Sequence, residues 1–117
     1  MTARDTVQHY FNSLERRQGW EAFLSDDVIF TTFTSPVKQV KGRPAFLEST
    51  KRFYSMIAAV KVRDLLVDGD KVCALTSYSL RPPSGPEIKS DVAEVLQVHD
   101  GRITTFDIYF DSAPFPK

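Results

Sequence analysis

The apolar positions of this chain change period along its length, from helical spacing early to alternation late. Near the N-terminus Val7, Tyr10, Phe11 and Leu14 recur as one face of a helix. Thr2 followed three residues later by Asp5 has the pattern of a capping box, so a helix is predicted from about Ala3 to Arg17. Gly19 breaks it, and Trp20, Phe23 and Leu24 at i, i+3 and i+4 predict a short second helix ending near Asp26. The β-branched and aromatic run from Val28 to Phe33 predicts the first strand, closed by Ser35-Pro36 because proline cannot continue a ladder. After an extended piece around Lys38 to Val40, Gly42-Arg43-Pro44 sets up a long third helix, since proline's missing N–H costs nothing in a first turn. That helix would bury Phe46, Thr50, Phe53, Tyr54 and Ile57 and turn Glu48, Lys51 and Arg52 to water.

From Ala58 onward the pattern is strand and turn. VKVRDLLV is followed by Asp68-Gly69-Asp70, KVCALTSYSL by the loop RPPSGP, and a last pair of strands is joined at Asp100-Gly101. Asp-Gly is a strong hairpin signal because both residues tolerate the left-handed dihedrals that match strand twist. Helices early and an antiparallel meander late predict an α+β fold with the helices on one face of a curved sheet.

The last hairpin contains the sharpest chemical hint. Val92, Glu94, Leu96 and Val98 share one face by the period-two rule, which sets a carboxylate in an apolar row. Burial there disfavours the charged form, so Glu94 could stay protonated and donate to a developing oxyanion. The plainer reading is that Glu94 accepts from a hydroxyl such as Thr32, Tyr10 or Tyr54 and fixes the core. In the last strand Phe106, Ile108 and Phe110 face inward, while Thr105, Asp107, Tyr109 and Asp111 face out, where Asp107 suits a salt bridge or a dimer contact.

Bulk properties narrow the possibilities. A chain of 117 residues suits one domain, here 1–117. Fifteen basic and fifteen acidic residues, interspersed, leave no footprint for nucleic acid or an anionic membrane. The N-terminus lacks a signal-peptide layout and there is no membrane-length apolar run, so a cytoplasmic protein is expected. Cys73, the single cysteine, reads as a small core residue. His9 and His99 have no metal-ligand spacing, and there is no Gly-rich phosphate loop, so neither metal nor other cofactor is expected. Asp26-Asp27, at a helix-to-strand junction, reads as a capping or solvated pair.

The element order, with LSDDVIF at 24–30, KGR at 41–43, VDGDKV at 67–72 and HDGRI at 99–103, resembles the nuclear transport factor 2-like superfamily and its SnoaL-like branch. The resemblance implies a cone-shaped, mixed and largely antiparallel sheet wrapped around a long helix, a cystatin-like α+β barrel, with a pocket between them and homodimers through the outer sheet face. The superfamily includes ketosteroid isomerase, SnoaL-like polyketide cyclases, limonene epoxide hydrolase and scytalone dehydratase beside noncatalytic binding members, so the fold alone does not give a reaction. Carried over by position, the isomerase's oxyanion-binding acid falls on Glu94. Its general base falls on Thr32 or Phe33, neither of which is a base, and its helix-one tyrosine on Tyr10 or Phe11. The position of the hydrolase's second carboxylate is Ile108.

Glu94 and Thr32 are therefore the candidate catalytic residues, and Tyr10, Trp20, Phe53, Tyr54, Phe106, Ile108 and Phe110 the candidate pocket lining. Two functions follow. One is a cofactor-independent pocket protein for a small hydrophobic molecule, with Glu94 doing acid-base or oxyanion work on a carbonyl compound in an isomerase, cyclase or hydrolase type of reaction. The other is a noncatalytic dimeric module that engages another protein through its sheet face or the loop from Arg81 to Pro86. An open cavity reaching Glu94 favours the first, and a core filled by Phe53, Phe106 and Phe110 the second.

Overall fold

The computed structural model describes residues 1–34 and 36–115. Helix α1 spans Ala3–Glu15 behind the expected capping box, in which the Thr2 hydroxyl accepts from the Asp5 N–H and the Asp5 carboxylate from the Thr2 N–H. It stops two residues earlier than its apolar period suggested because Arg17 turns left-handed, with φ 59°. The second helix is only a 3₁₀ turn, Trp20–Phe23, and Asp26 and Asp27 lie beyond it in strand β1, Leu24–Thr32. They cap nothing. Both are exposed, and Asp26 pairs with Arg43 at 2.8 Å.

Strand β2, Lys38–Lys41, leads through Gly42, φ 91°, into helix α2, Arg43–Ser55. Ile57 does not belong to the α2 stripe, because Met56 ends the helix and Ile57 opens β3, Ile57–Asp68. Then come β4, Lys71–Leu80, β5, Ile88–His99, and β6, Arg102–Phe110. At the β5–β6 turn Asp100 and Gly101 have φ 50° and 74°, both left-handed as the hairpin signal requires.

The six strands form one sheet in the order β2-β1-β6-β5-β4-β3. Strands β3 to β6 are the expected antiparallel meander, and β1 joins β6 in parallel, so the sheet is mixed and open rather than a closed barrel. Alternation decides what it buries. Ile88, Ser90, Val92, Glu94, Leu96 and Val98 of β5 are all buried, as are Val72, Ala74, Thr76, Tyr78 and Leu80 of β4. Cys73, between two inward residues, is therefore half-buried on the outer face and not in the core, and burial raises its thiol pKa. Helix α1 covers the inner face over β3 to β6 and α2 covers it over β1 and β2. Where α2 meets the sheet the packing is aromatic, with Phe46 against Phe30 and Phe106 at centroid distances of 4.6 and 5.6 Å.

Candidate functional site

Glu94 occupies the middle of the sheet's inner face, opposite Ala74 on β4 and Ile108 on β6. Only 2% of it is exposed, a burial that an ionised carboxylate rarely has without a compensating cation. No Lys or Arg pairs with it among the described residues. Two hydroxyls from β4 hold it instead. Thr76 Oγ1 lies 2.6 Å and the Tyr78 hydroxyl 2.9 Å from the same carboxyl oxygen, Oε2. Antiparallel register explains both contacts, since Thr76 and Tyr78 follow Ala74 on the inward parity.

These partners differ from the expected ones, as none of Thr32, Tyr10 and Tyr54 supplies the hydroxyl. Alternation along KVCALTSYSL would have revealed Thr76 and Tyr78, because a strand that turns Val72 and Ala74 inward turns them inward too.

Burial drives the Glu94 pKa up to about 7, against the lowering effect of Thr76 and Tyr78. The acid is thus poised between its two forms near neutrality. The local geometry accommodates both. With Glu94 ionised, Thr76 and Tyr78 donate to Oε2. With the proton on Oε1, Thr76 and Tyr78 still donate to Oε2, which is then the carbonyl oxygen of the acid. Oε1 makes no hydrogen bond among the described residues, so it is the oxygen left for a visitor.

A cavity of about 400 Å³ reaches Glu94 between α2 and the inner face of β1, β6, β5 and β4. Of the residues singled out in sequence, Glu94, Thr32, Phe53, Tyr54, Phe106, Ile108 and Phe110 line it, and Tyr10 and Trp20 do not. Those two stand behind it. Trp20 packs edge-on against Tyr54 at 4.4 Å, and the Tyr10 and Tyr54 hydroxyls are 2.9 Å apart. Tyr10 is fully buried and has no other side-chain partner among the described residues, so its proton goes to Tyr54, whose own proton stays free for the cavity. Burial raises the pKa of Tyr10, Tyr54 and Tyr78, which keeps all three phenols protonated.

Thr32 sits opposite Ile108, on the cavity wall, whereas Phe33 lies outside and stacks on Tyr109 at 4.8 Å. Asp107 is opposite Val95 on the outer parity, and burial raises its pKa while Lys71 partly offsets this. Thr34, Ser49, Ser112 and the exposed Lys38 bring the polar groups nearer solvent, and Phe115 closes on Phe110 at 5.5 Å. Residues 116 and 117, beyond Phe115, lie outside the described residues, as does Ser35 of the expected strand stop. His9 stacks on Phe23, and no group of three His, Cys, Asp or Glu side chains among the described residues could hold a metal ion. No helix among them is long and apolar enough to cross a membrane.

The fold recurs in solved structures. A candidate SnoaL-like polyketide cyclase from Jannaschia sp. CCS1 superposes with a TM-score of 0.80 at 17% identity, over 98% of this chain and 93% of that one. An LEH-like epoxide hydrolase from M. tuberculosis gives 0.78 at 23% identity, over 96% and 84%. A candidate ketosteroid isomerase from Kribbella flavida gives 0.75 at 22%, over 98% and 82%. At these identities the likeness extends to the fold and not to a reaction. No curated protein matches the sequence. The profile of the SnoaL-like domain matches residues 7–106, from the first turns of α1 to the middle of β6. The chain therefore belongs to the SnoaL-like domain family, built on the nuclear transport factor 2-like fold.

Proposed function

We propose that the chain binds a small, largely apolar carbonyl compound in the cavity between α2 and the sheet, and that Glu94 in its acid form donates a hydrogen bond to the compound's oxygen. The observation that carries this reading is a buried, uncompensated acid with one oxygen anchored by Thr76 and Tyr78 and the other left unbonded at a cavity. Phe30, Phe53, Phe106, Ile108 and Phe110 supply the apolar walls, and the volume is within the about 300–1,000 Å³ usual for small-molecule sites. Tyr54 offers a second donor.

The described lining contains no histidine and no second carboxylate, and Thr32 is too weak an acid to serve as a base near neutrality. Donation therefore ranks above proton abstraction. A reaction that needs no second base is attack by an enol carbon of the bound molecule on its own carbonyl, polarised by Glu94 and Tyr54. As the C–C bond forms and the carbonyl π bond breaks, Glu94 gives its proton to the carbonyl oxygen, and the carboxylate left behind takes the proton that the enol hydroxyl loses. Acid-assisted opening by water would need a partner base that the described lining lacks.

A simple aryl ketone, para-acetylbiphenyl, provides the test by thermal shift and by titration. It should raise the melting temperature, because a ligand selective for the folded state stabilises it. Its affinity should fall as pH rises through about 7, where Glu94 loses the donated proton. In Glu94→Gln the amide still donates, so binding should persist without the pH dependence. A shift that ignores both pH and Glu94→Gln would overturn the reading.

Self-association through the outer sheet face belongs to the same proposal. Leu75 and Ala93 are cross-strand neighbours there, as are Cys73 and Val95, and Tyr109 lies beside Ala93. A solvated face would be polar at such positions. Tyr109 and its stacked neighbour Phe33 are 47% and 40% exposed, which suits a dimer contact. Sedimentation should report a dimer at micromolar concentration and a monomer for Tyr109→Glu. A monomeric unmodified protein would sink the idea.

A further inference from the structure

Ser90 has a buried hydroxyl with no hydrogen-bond partner among the described residues. It is 2% exposed, and among the described residues its Oγ is one of three buried side-chain polar atoms without a hydrogen bond, with those of Thr6 and Ser25. Of the three, Ser90 alone lines the cavity that contains Glu94. The reason it is orphaned is visible across the strands. Tyr78 is its cross-strand neighbour, yet the Tyr78 hydroxyl is committed to Glu94 Oε2 at 2.9 Å. An unmet buried hydroxyl costs about 1–3 kcal/mol, so a place where a visiting polar atom would relieve the cost is a candidate recognition point.

We infer that Ser90 is a second polar recognition point, and that the ligand has two polar groups at opposite ends of an apolar body, one for Glu94 and one for Ser90. The inference rests on the binding reading above and adds the ligand's shape. Ser90 and Glu94 share the inward parity of β5 four residues apart, with Val92 between them. Same-face neighbours on a strand are about 6.7 Å apart, and the Glu94 carboxyl leans toward Thr76, opposite Val92, so the two groups lie roughly 7 to 13 Å apart. A flat aromatic body of two rings, oxygenated at both ends, spans that distance. The Ser90 hydroxyl both donates and accepts, so it takes a phenol or alcohol as readily as a second carbonyl.

The test compares para-acetylbiphenyl with its derivative that has a hydroxyl at the far para position, on the full chain at pH 6. The hydroxylated compound should bind about tenfold more tightly, as one well-made hydrogen bond to a previously unpaired group allows. Ser90→Ala should bring the two affinities together while leaving that of the parent ketone unchanged, and the free protein's melting temperature should not fall. Equal affinities in the unmodified protein, or a preference that survives Ser90→Ala, overturn the inference and leave the Glu94 reading standing. So does a fall of several degrees in the free Ser90→Ala protein, which would mean that the hydroxyl is satisfied within the fold. Ser90 also borders a groove between α1 and strands β3 to β5. If the hydroxylated compound loses the pH dependence set by Glu94, it lies in that groove and the inference fails. Binding of neither compound defeats both the reading and the inference.

Discussion

Replacing Glu94 by glutamine is expected to stabilise the protein at pH 8 by on the order of 3 kcal/mol, which for a chain of this size raises the melting temperature by roughly 10 °C. Most substitutions of a fully buried polar residue do the reverse. The expectation follows from where the proton is. In the unfolded chain Glu94 titrates near 4.5, and in the fold burial pushes it to about 7. Between those values the folded state keeps a proton that the unfolded state has released, so stability falls as pH rises through that window. The stabilising contribution is complete below pH 4.5 and gone above about 7. Glutamine has the same shape, accepts from Thr76 and Tyr78, and never ionises, so it keeps the contribution at every pH.

The pH profile separates this effect from a general change in packing. Urea unfolding of the two proteins should give similar stabilities at pH 4.5 and curves that diverge up to pH 8. Asp107, also raised by burial, adds a slope of the same sign to both proteins and cancels in the difference. A difference that stays constant from pH 4.5 to 8 would show that Glu94 is charged, or solvated, at all these values, and would remove the acid on which the proposed function depends. Gaining stability by losing an acid is also what a functional site predicts, since a group kept for chemistry is kept at a cost to the fold.

How far the site could be read in the sequence depended on which physical rule governed each residue. Strand parity is local and rigid, so it placed Glu94, Phe106, Ile108 and Phe110 inward and Asp107 outward without knowledge of the neighbouring strands. The partners of Glu94 depend on the β4–β5 register, and that register is set by the length of the connection from Arg81 to Glu87 rather than by any periodic signal. Thr76 and Tyr78 thus had the right parity but no assigned neighbour. Tyr10 and Trp20 show a different gap. Their spacing predicts burial and they are buried, but spacing does not tell which side of a packed aromatic layer faces empty space. The chain ends of elements were least legible: a single left-handed residue at Arg17 shortened α1, and a strand starting at Leu24 absorbed the Asp26-Asp27 pair.

Phe106→Ala should cost the fold about 3–5 kcal/mol, a large part of the 5–15 kcal/mol typical of a domain. Phe106 is 1% exposed and its ring meets Tyr10 at 5.7 Å, Phe30 at 5.6 Å and Phe46 at 5.6 Å, so it joins α1, β1 and α2 at one point. It also forms part of the cavity wall, which means that the surrounding side chains cannot close over its loss without filling a space already held open. The void left by alanine therefore merges with the cavity and relaxes little. Phe110, two residues further along the same face, is half-buried and has Phe115 as its aromatic neighbour at 5.5 Å. Its replacement by alanine should cost about 1–2 kcal/mol, within the common range for partly buried positions. Urea denaturation of both variants at one temperature checks the ordering. Equal costs would mean that Phe106 is no better packed than the rim, and that the cavity wall behind Glu94 gives way on binding instead of holding its shape.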